Sequence, residues 1–244
     1  MTSVTIKLTK LVELKAELKK HANPQRALVS KSFFKTGKGE YGEGDVFLGL
    51  SVPDQRKIAK EYKALPLSDV QKLLKSKIHE ERFVALVLLV MRYQSGDESA
   101  KKDIFERYLS MSKWINNWDL VDTSAPQIVG DYCWRTEDRQ ALKNLIKSSD
   151  LWERRIGVLA TLTFIRQGDV KLTLELAEKL LNDRHDLIHK AVGWMLREAG
   201  SRSPQEVKKF LNRHAARMPR TMLRYAIEKF SPDERHRYLQ AKFE

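Results

Sequence analysis

A helix-length apolar pattern that returns along the chain limits what it can fold into more than any other feature. Glu81-Arg-Phe-Val-Ala-Leu-Val-Leu-Leu89 aligns with Glu153-Arg-Arg-Ile-Gly-Val-Leu-Ala-Thr161, and Ile188–Leu196 and Met222–Phe230 follow the same scheme more loosely. Phe83, Arg155, Lys190 and Arg224 are then equivalent, at intervals of 72, 35 and 34 residues. A unit of about 35 residues fits, with one further unit centred near residue 119. A helix pair of this length cannot bury its own apolar face and must stack on its neighbours, so the period predicts a curved solenoid of helix pairs.

Local signals agree with an all-α fold. Leu8, Leu11, Leu14 and Leu18 have amphipathic helical spacing. Pro53-Asp-Gln-Arg56 and Ser68-Asp-Val-Gln71 read as helix starts, and Ser203-Pro-Gln-Glu206 combines a serine cap, a proline at the first helical position and a glutamate three residues on. No stretch alternates as a strand would. No apolar run reaches the roughly 18 residues of a membrane span. Met1-Thr-Ser-Val-Thr-Ile-Lys-Leu8 lacks the charged-then-apolar order of a secretory signal. The one cysteine, Cys133, excludes an internal disulfide framework and has no metal-ligand spacing around it. A reduced, cytoplasmic protein is the expectation.

The formal net charge is +13, and it is concentrated at the two ends. Residues 1–64 and 201–244 each carry +6, and residues 65–200 only +1. A solvated surface accounts for this without function. A polyanion held by both ends accounts for it with function, since Lys and Arg on phosphates supply salt-dependent affinity.

Arg155 is the first residue out of place. Its helical neighbours Leu151, Trp152, Val158 and Leu159 are all apolar. A guanidinium on such a stripe needs a carboxylate or a phosphate, so the residue is either half of an internal ion pair or a ligand-facing group, and the recurrence of Lys190 and Arg224 favours the second. In Trp114-Ile-Asn-Asn-Trp-Asp-Leu-Val-Asp122, Trp118 and Asp122 share a helix face and Asp119 lies three residues from Asp122. Trp194 follows Lys190 by the same step of four. Tryptophans at helical spacing are usually core, but an aromatic ring beside a charge on two units flanking Arg155 points to a site. Gly37-Lys-Gly-Glu-Tyr-Gly42 matches G-x-G-x-x-G only in letters, because a helix end precedes it where a dinucleotide site needs a strand. A loop whose backbone approaches phosphates, with Lys35 before it and Lys38 within it, is left open. Of six histidines only His185 and His189 have ligand-like spacing, without an acidic third ligand, so no metal and no cofactor are expected.

Taken together, Phe34–Asp45 with Phe47-Leu-Gly-Leu50, Trp118–Asp122, Trp152-Glu-Arg-Arg155 and Lys190–Glu198 resemble the AlkD family of DNA alkylation repair glycosylases, in order and spacing over nearly the whole chain. The resemblance implies a right-handed α-α superhelix of HEAT-like repeats, with residues 1–244 as one domain whose basic concave face holds duplex DNA. It places the catalytic aspartate on Asp122, the cleft tryptophans on Trp118 and Trp194, and the cleft arginine on Arg155. A further cleft aromatic falls on Phe33 or Phe34, where the family's tyrosine hydroxyl is lost. The implied activity is monofunctional hydrolysis of cationic N3- and N7-alkylated purines by a monomer, with Arg155, Lys190, Arg224, Lys35 and Lys38 as DNA contacts. The alternatives are a catalytically silent helical module that binds DNA or RNA, in which Asp122 would only pair with Arg155, and a protein-interaction scaffold, which the basic ends disfavour.

Overall fold

A computed structural model describes residues 9–240, so Leu8 of the first amphipathic stretch lies outside the described residues. The all-α expectation holds: among the described residues there is no strand, only an isolated bridge between Val46 and Ile78. No described helix is long and apolar enough to cross a membrane. The chain divides into two compact units, Met1–Leu120 and Val121–Glu244.

The first unit contains α1 (Lys10–Lys20), α2 (Pro24–Phe33), α3 (Val52–Glu61), α4 (Leu67–Leu74), α5 (His79–Ser95) and α6 (Glu98–Ser110), followed by a 3-10 turn at Ser112–Trp114. Thr9, Asn23, Ser51 and Asp97 cap α1, α2, α3 and α6 with side-chain oxygens, which satisfies backbone N–H groups that have no partner inside the helix. The helix start read at Ser68 is that of α4, which begins one residue earlier at Leu67 with Pro66 in the cap position. Leu14 and Leu18 are the buried pair of α1. Helix α5 is buried on every side from His79 to Leu89, as a helix surrounded by α1, α3, α4 and α6 must be.

Between α2 and α3 the chain runs through turns that are pinned to the start of α5. The Glu80 carboxylate, 2% exposed, accepts N–H groups from Leu48 at 2.9 Å, Gly49 at 2.7 Å and Leu50 at 3.4 Å. Gly49 is required there: its φ is +84°, and a Cβ would lie 2.2 Å from the Asn23 carbonyl oxygen.

The second unit follows from α7 (Trp118–Ala125), whose first residues belong to the first unit. A π turn at Pro126–Gly130 carries it on into α8 (Asp131–Arg135). Pro126 has no N–H for the carbonyl four residues back, and the helix widens through the proline instead of ending. Then come α9 (Arg139–Leu145), α10 (Leu151–Arg166), α11 (Lys171–Lys179), α12 (Asp186–Arg202), α13 (Pro204–His214), α14 (Arg220–Ala226) and α15 (Pro232–Leu239). The π turn, α10, α12 and α14 are neighbours in one layer; α9 packs on α10, α11 on α10 and α12, and α13 on α12. Arg155, Lys190 and Arg224, aligned by the repeat, therefore stand on three adjacent helices. Pro204 opens α13 as expected, although Ser203 caps it without a side-chain bond.

Small residues set the spacing of this layer. A Cβ on Gly130 would lie 2.4 Å from the Ala160 carbonyl oxygen, and one on Gly193 would lie 2.5 Å from both the Met222 carbonyl oxygen and Tyr225 Cβ. Cys133 is fully buried among these helices; burial, with Asp138 adding to it, pushes its thiol up to about 12.

Two stability outcomes follow. Glu80→Gln puts an amide where three N–H groups need an anion, and equilibrium denaturation should show a loss of about 1.5–3 kcal/mol. Gly193→Ala forces α12 and α14 apart and should cost about 1–3 kcal/mol in the same measurement.

Candidate functional site

In the second unit the site begins with Arg155, in the second turn of α10 and 4% exposed. Nε donates to Asp122 Oδ1 at 3.0 Å, and Nη2 donates to Oδ1 at 2.8 Å and to Oδ2 at 2.9 Å. Nη1 donates to the Leu187 carbonyl at 2.7 Å, at the start of α12. Of the two readings of Arg155, the ion pair is the one that forms, and all three nitrogens have protein acceptors. The pair is not sealed away, because the Asp122 side chain keeps 18% of its surface exposed. Bidentate pairing fixes the carboxylate plane as well as its position.

Helices α10 and α12 run in parallel. Arg155 meets Leu187 at their N-terminal ends, and at the other ends a groove of about 540 Å³ opens between Leu162, Arg166, Trp194, Arg197 and Arg202. Trp194 is half-buried there, and its indole N–H donates to Glu198 at 3.2 Å, which fixes the ring. Lys190 bonds Asp186 at 2.8 Å and is 41% exposed. Against the cost of burial, Lys190 holds the Asp186 carboxyl below its usual range. Arg224 is exposed on α14. His185 accepts the Leu187 N–H as a cap, and His189 bonds the Asp183 carbonyl, so both of the ligand-like histidines serve the backbone. Among the described residues no group of three or more His, Cys, Asp or Glu could hold a metal ion.

In the first unit the site is built around Trp118, one helical turn before Asp122 on α7 and half-buried. Phe34 stacks on its ring at 5.3 Å and Phe33 meets it edge-on at 5.7 Å. Both of the candidate aromatics therefore touch Trp118, and Phe33 is the exposed one, at 62%. Asp119, the next residue, accepts from His79 Nε2 at 2.8 Å. His79 Nδ1 lies 3.2 Å from Asp45, whose other oxygen accepts from Arg82 at 2.7 Å. Burial disfavours charge on His79, but Asp119 and then Asp45 outweigh it and push the imidazole up to about 9. Burial also opposes charge on Asp45, yet His79 and Arg82 hold its carboxyl below the usual range.

Sequence reasoning passed over His79, whose partners lie 34 and 40 residues away. The available signal was Asp119, a second carboxylate inside an apolar-and-aromatic motif that needed a cation. The glycine run follows α2 and leads to no strand, as its context predicted. The Gly37 and Gly39 N–H groups are occupied by the carboxylates of Glu40 at 2.7 Å and Glu43 at 2.8 Å. Lys35 and Lys38 beside them are exposed.

A family model described as DNA alkylation repair enzyme matches residues 14–230. A solved structure described as a predicted DNA alkylation repair enzyme from Enterococcus faecalis has the same fold, with a TM-score of 0.66 at 17% identity over 87% of this chain and 98% of that one. No curated protein matches. With its matched span covering most of its length, the chain belongs to the DNA alkylation repair enzyme family.

Proposed function

We propose that the protein is a monofunctional DNA glycosylase that hydrolyses the N-glycosidic bond of cationic N3- or N7-alkylated purines in duplex DNA. The observation that carries this reading is the Asp122–Arg155 pair, a carboxylate held by three hydrogen bonds yet still reachable from solvent. An alkylated purine already bears positive charge, so when the bond from C1′ to the base nitrogen breaks, the electron pair leaves with a neutral base. Little help from a general acid is needed. The charge that develops is on the sugar, and a preorganised carboxylate stabilises it. Asp122 takes that role and orients the water, whose oxygen bonds C1′ as the Asp122 carboxylate accepts its proton. Arg155 acts on Asp122 by keeping the carboxylate from swinging. Trp118, one helical turn before Asp122 on α7, offers a ring face to the deoxyribose, with a cation–π contact of about 0.5–2 kcal/mol, and Trp194 lines the groove farther along α10 and α12. Lys190 and Arg224 serve phosphates, and the exposed Lys35 and Lys38 belong to the same basic end of the chain. Selection then rests on the charge of the lesion and not on base edges.

Release of N7-methylguanine from methylated duplex under single-turnover conditions tests the chemistry. Asp122→Asn should lower the rate by about 10² or more. Circular dichroism and a melting curve run alongside, because removing one partner of a buried pair is itself destabilising. Tight duplex binding without release by the native chain would transfer the assignment to a silent DNA-binding module.

Affinity for undamaged duplex as a function of salt tests the phosphate row. Lys190→Ala and Arg224→Ala should each flatten the slope of log K against log salt by about 1. An unchanged slope removes that residue from the interface.

A further inference from the structure

We infer that His79 is a positioning residue for base excision, fixing the Trp118 indole through Asp119 and the Phe34 ring. The inference rests on the glycosylase reading for its catalytic consequence and on the first unit's geometry for its mechanism. Three tethers lead from the buried imidazole to residue 118. The first is covalent, since Asp119, bonded to His79 Nε2 at 2.8 Å, is the next residue in the chain. The second runs through Asp45, which accepts from Asn117 at 3.4 Å, while the Asn117 side-chain oxygen accepts the Trp118 backbone N–H at 2.8 Å. The third is aromatic. Phe34 lies 4.9 Å from the His79 ring and stacks on Trp118 at 5.3 Å, with Phe47 stacked on His79 at 4.7 Å and on Phe34 at 5.1 Å.

A histidine that merely filled the core would be satisfied by one backbone acceptor. Here both ring nitrogens reach carboxylates, and both carboxylates lead to the same tryptophan. Such a network of buried charges is a poor choice for stability alone, because apolar residues of similar volume would do as well or better. What it supplies is a single orientation. Asp45 is itself anchored: Val46 accepts the His79 backbone N–H at 2.8 Å and donates to the Lys77 carbonyl at 3.1 Å. The glycine-rich stretch before it thus ends on a fixed point.

The charged groups facing His79 are Asp45 from the loop, Arg82 from α5 and Asp119 from α7. With His79 pushed up to about 9, the clamp is intact at neutral pH. Because its folded value lies above the ordinary 6.5, its stabilising effect is complete below 6.5 and is lost as pH rises through about 9. Over that window the folding equilibrium constant should fall by about tenfold per pH unit from this group.

The native chain, His79→Gln and Asp119→Asn decide the matter with two readouts. The first is the ¹⁵N-labelled indole resonance of Trp118, identified with Trp118→Phe and followed as pH rises. It should move with a midpoint near 9 in the native chain, lose that step in His79→Gln, and be displaced in Asp119→Asn, while the Trp152 resonance stays in place. The second is single-turnover release of N7-methylguanine. It should fall about 10- to 100-fold in either variant, with duplex affinity held within about threefold, and no further in the double variant. A folded His79→Gln with a native Trp118 resonance, or with native release, overturns the inference. If His79→Gln does not fold, Asp119→Asn carries both readouts, since it leaves the Asp45–Arg82 pair in place. If the native chain releases no base, the glycosylase reading fails by itself, and the Trp118 resonance still decides whether His79 holds the ring.

Discussion

A guanidinium almost without solvent must find acceptors, and the arrangement of the second unit follows from where Arg155 finds them. Its carboxylate partner comes from α7 and its carbonyl partner from the first turn of α12, while the side chain itself springs from α10. One residue thereby ties three helices together. Each bond is modest when measured against water, but the cost of leaving the charge unpaired in the interior is several kcal/mol, so the three elements hold their places as a set. The reactive group of the proposed chemistry is one of those acceptors. Its orientation is therefore not a separate achievement of the fold, since the contact that satisfies Arg155 is the contact that aims Asp122.

The backbone around this pair is adapted to it. A proline at 126 would ordinarily end a helix, yet the chain continues through a π turn, and the Thr163 hydroxyl donates to the Pro126 carbonyl at 2.7 Å. Four residues later Gly130 lets the same segment lie against the α10 backbone. Widened helix and close approach together put the carboxylate of α7 within reach of a residue on α10. A regular helix with a larger residue at 130 would carry Asp122 elsewhere.

Much of this was legible in the sequence, and the limits have physical causes. The 3.6-residue apolar period is local, so α5, α10 and α12 could be placed from it, and so could the equivalence of Arg155, Lys190 and Arg224. That Arg155 needed an anion was legible as well, because its four helical neighbours are apolar. Spacing did not name the anion, because pairing over 33 residues leaves no trace in it, and Asp122 entered only as the partner that the silent-module reading required. His79 was hidden for the same reason and a further one: it sits at the first residue of its helix, where no periodicity marks it. The helix start read at Ser68 lies one residue late, because Pro66 takes the cap position and α4 begins at Leu67. The π turn had a visible marker in Pro126, but a proline signals interruption without saying whether the chain breaks or widens.

The fully buried Cys133 acquires a meaning from the company the protein keeps. Agents that put methyl groups on purine nitrogens attack thiolates more readily still, and it is the thiolate, not the thiol, that reacts. With its thiol pushed up to about 12 and out of contact with solvent, Cys133 offers such electrophiles almost no anion to attack. Membership of an alkylation repair family associates this chain with the same class of electrophile that modifies exposed cysteines. Burial keeps its one sulfhydryl in the protonated thiol form, the less reactive of the two.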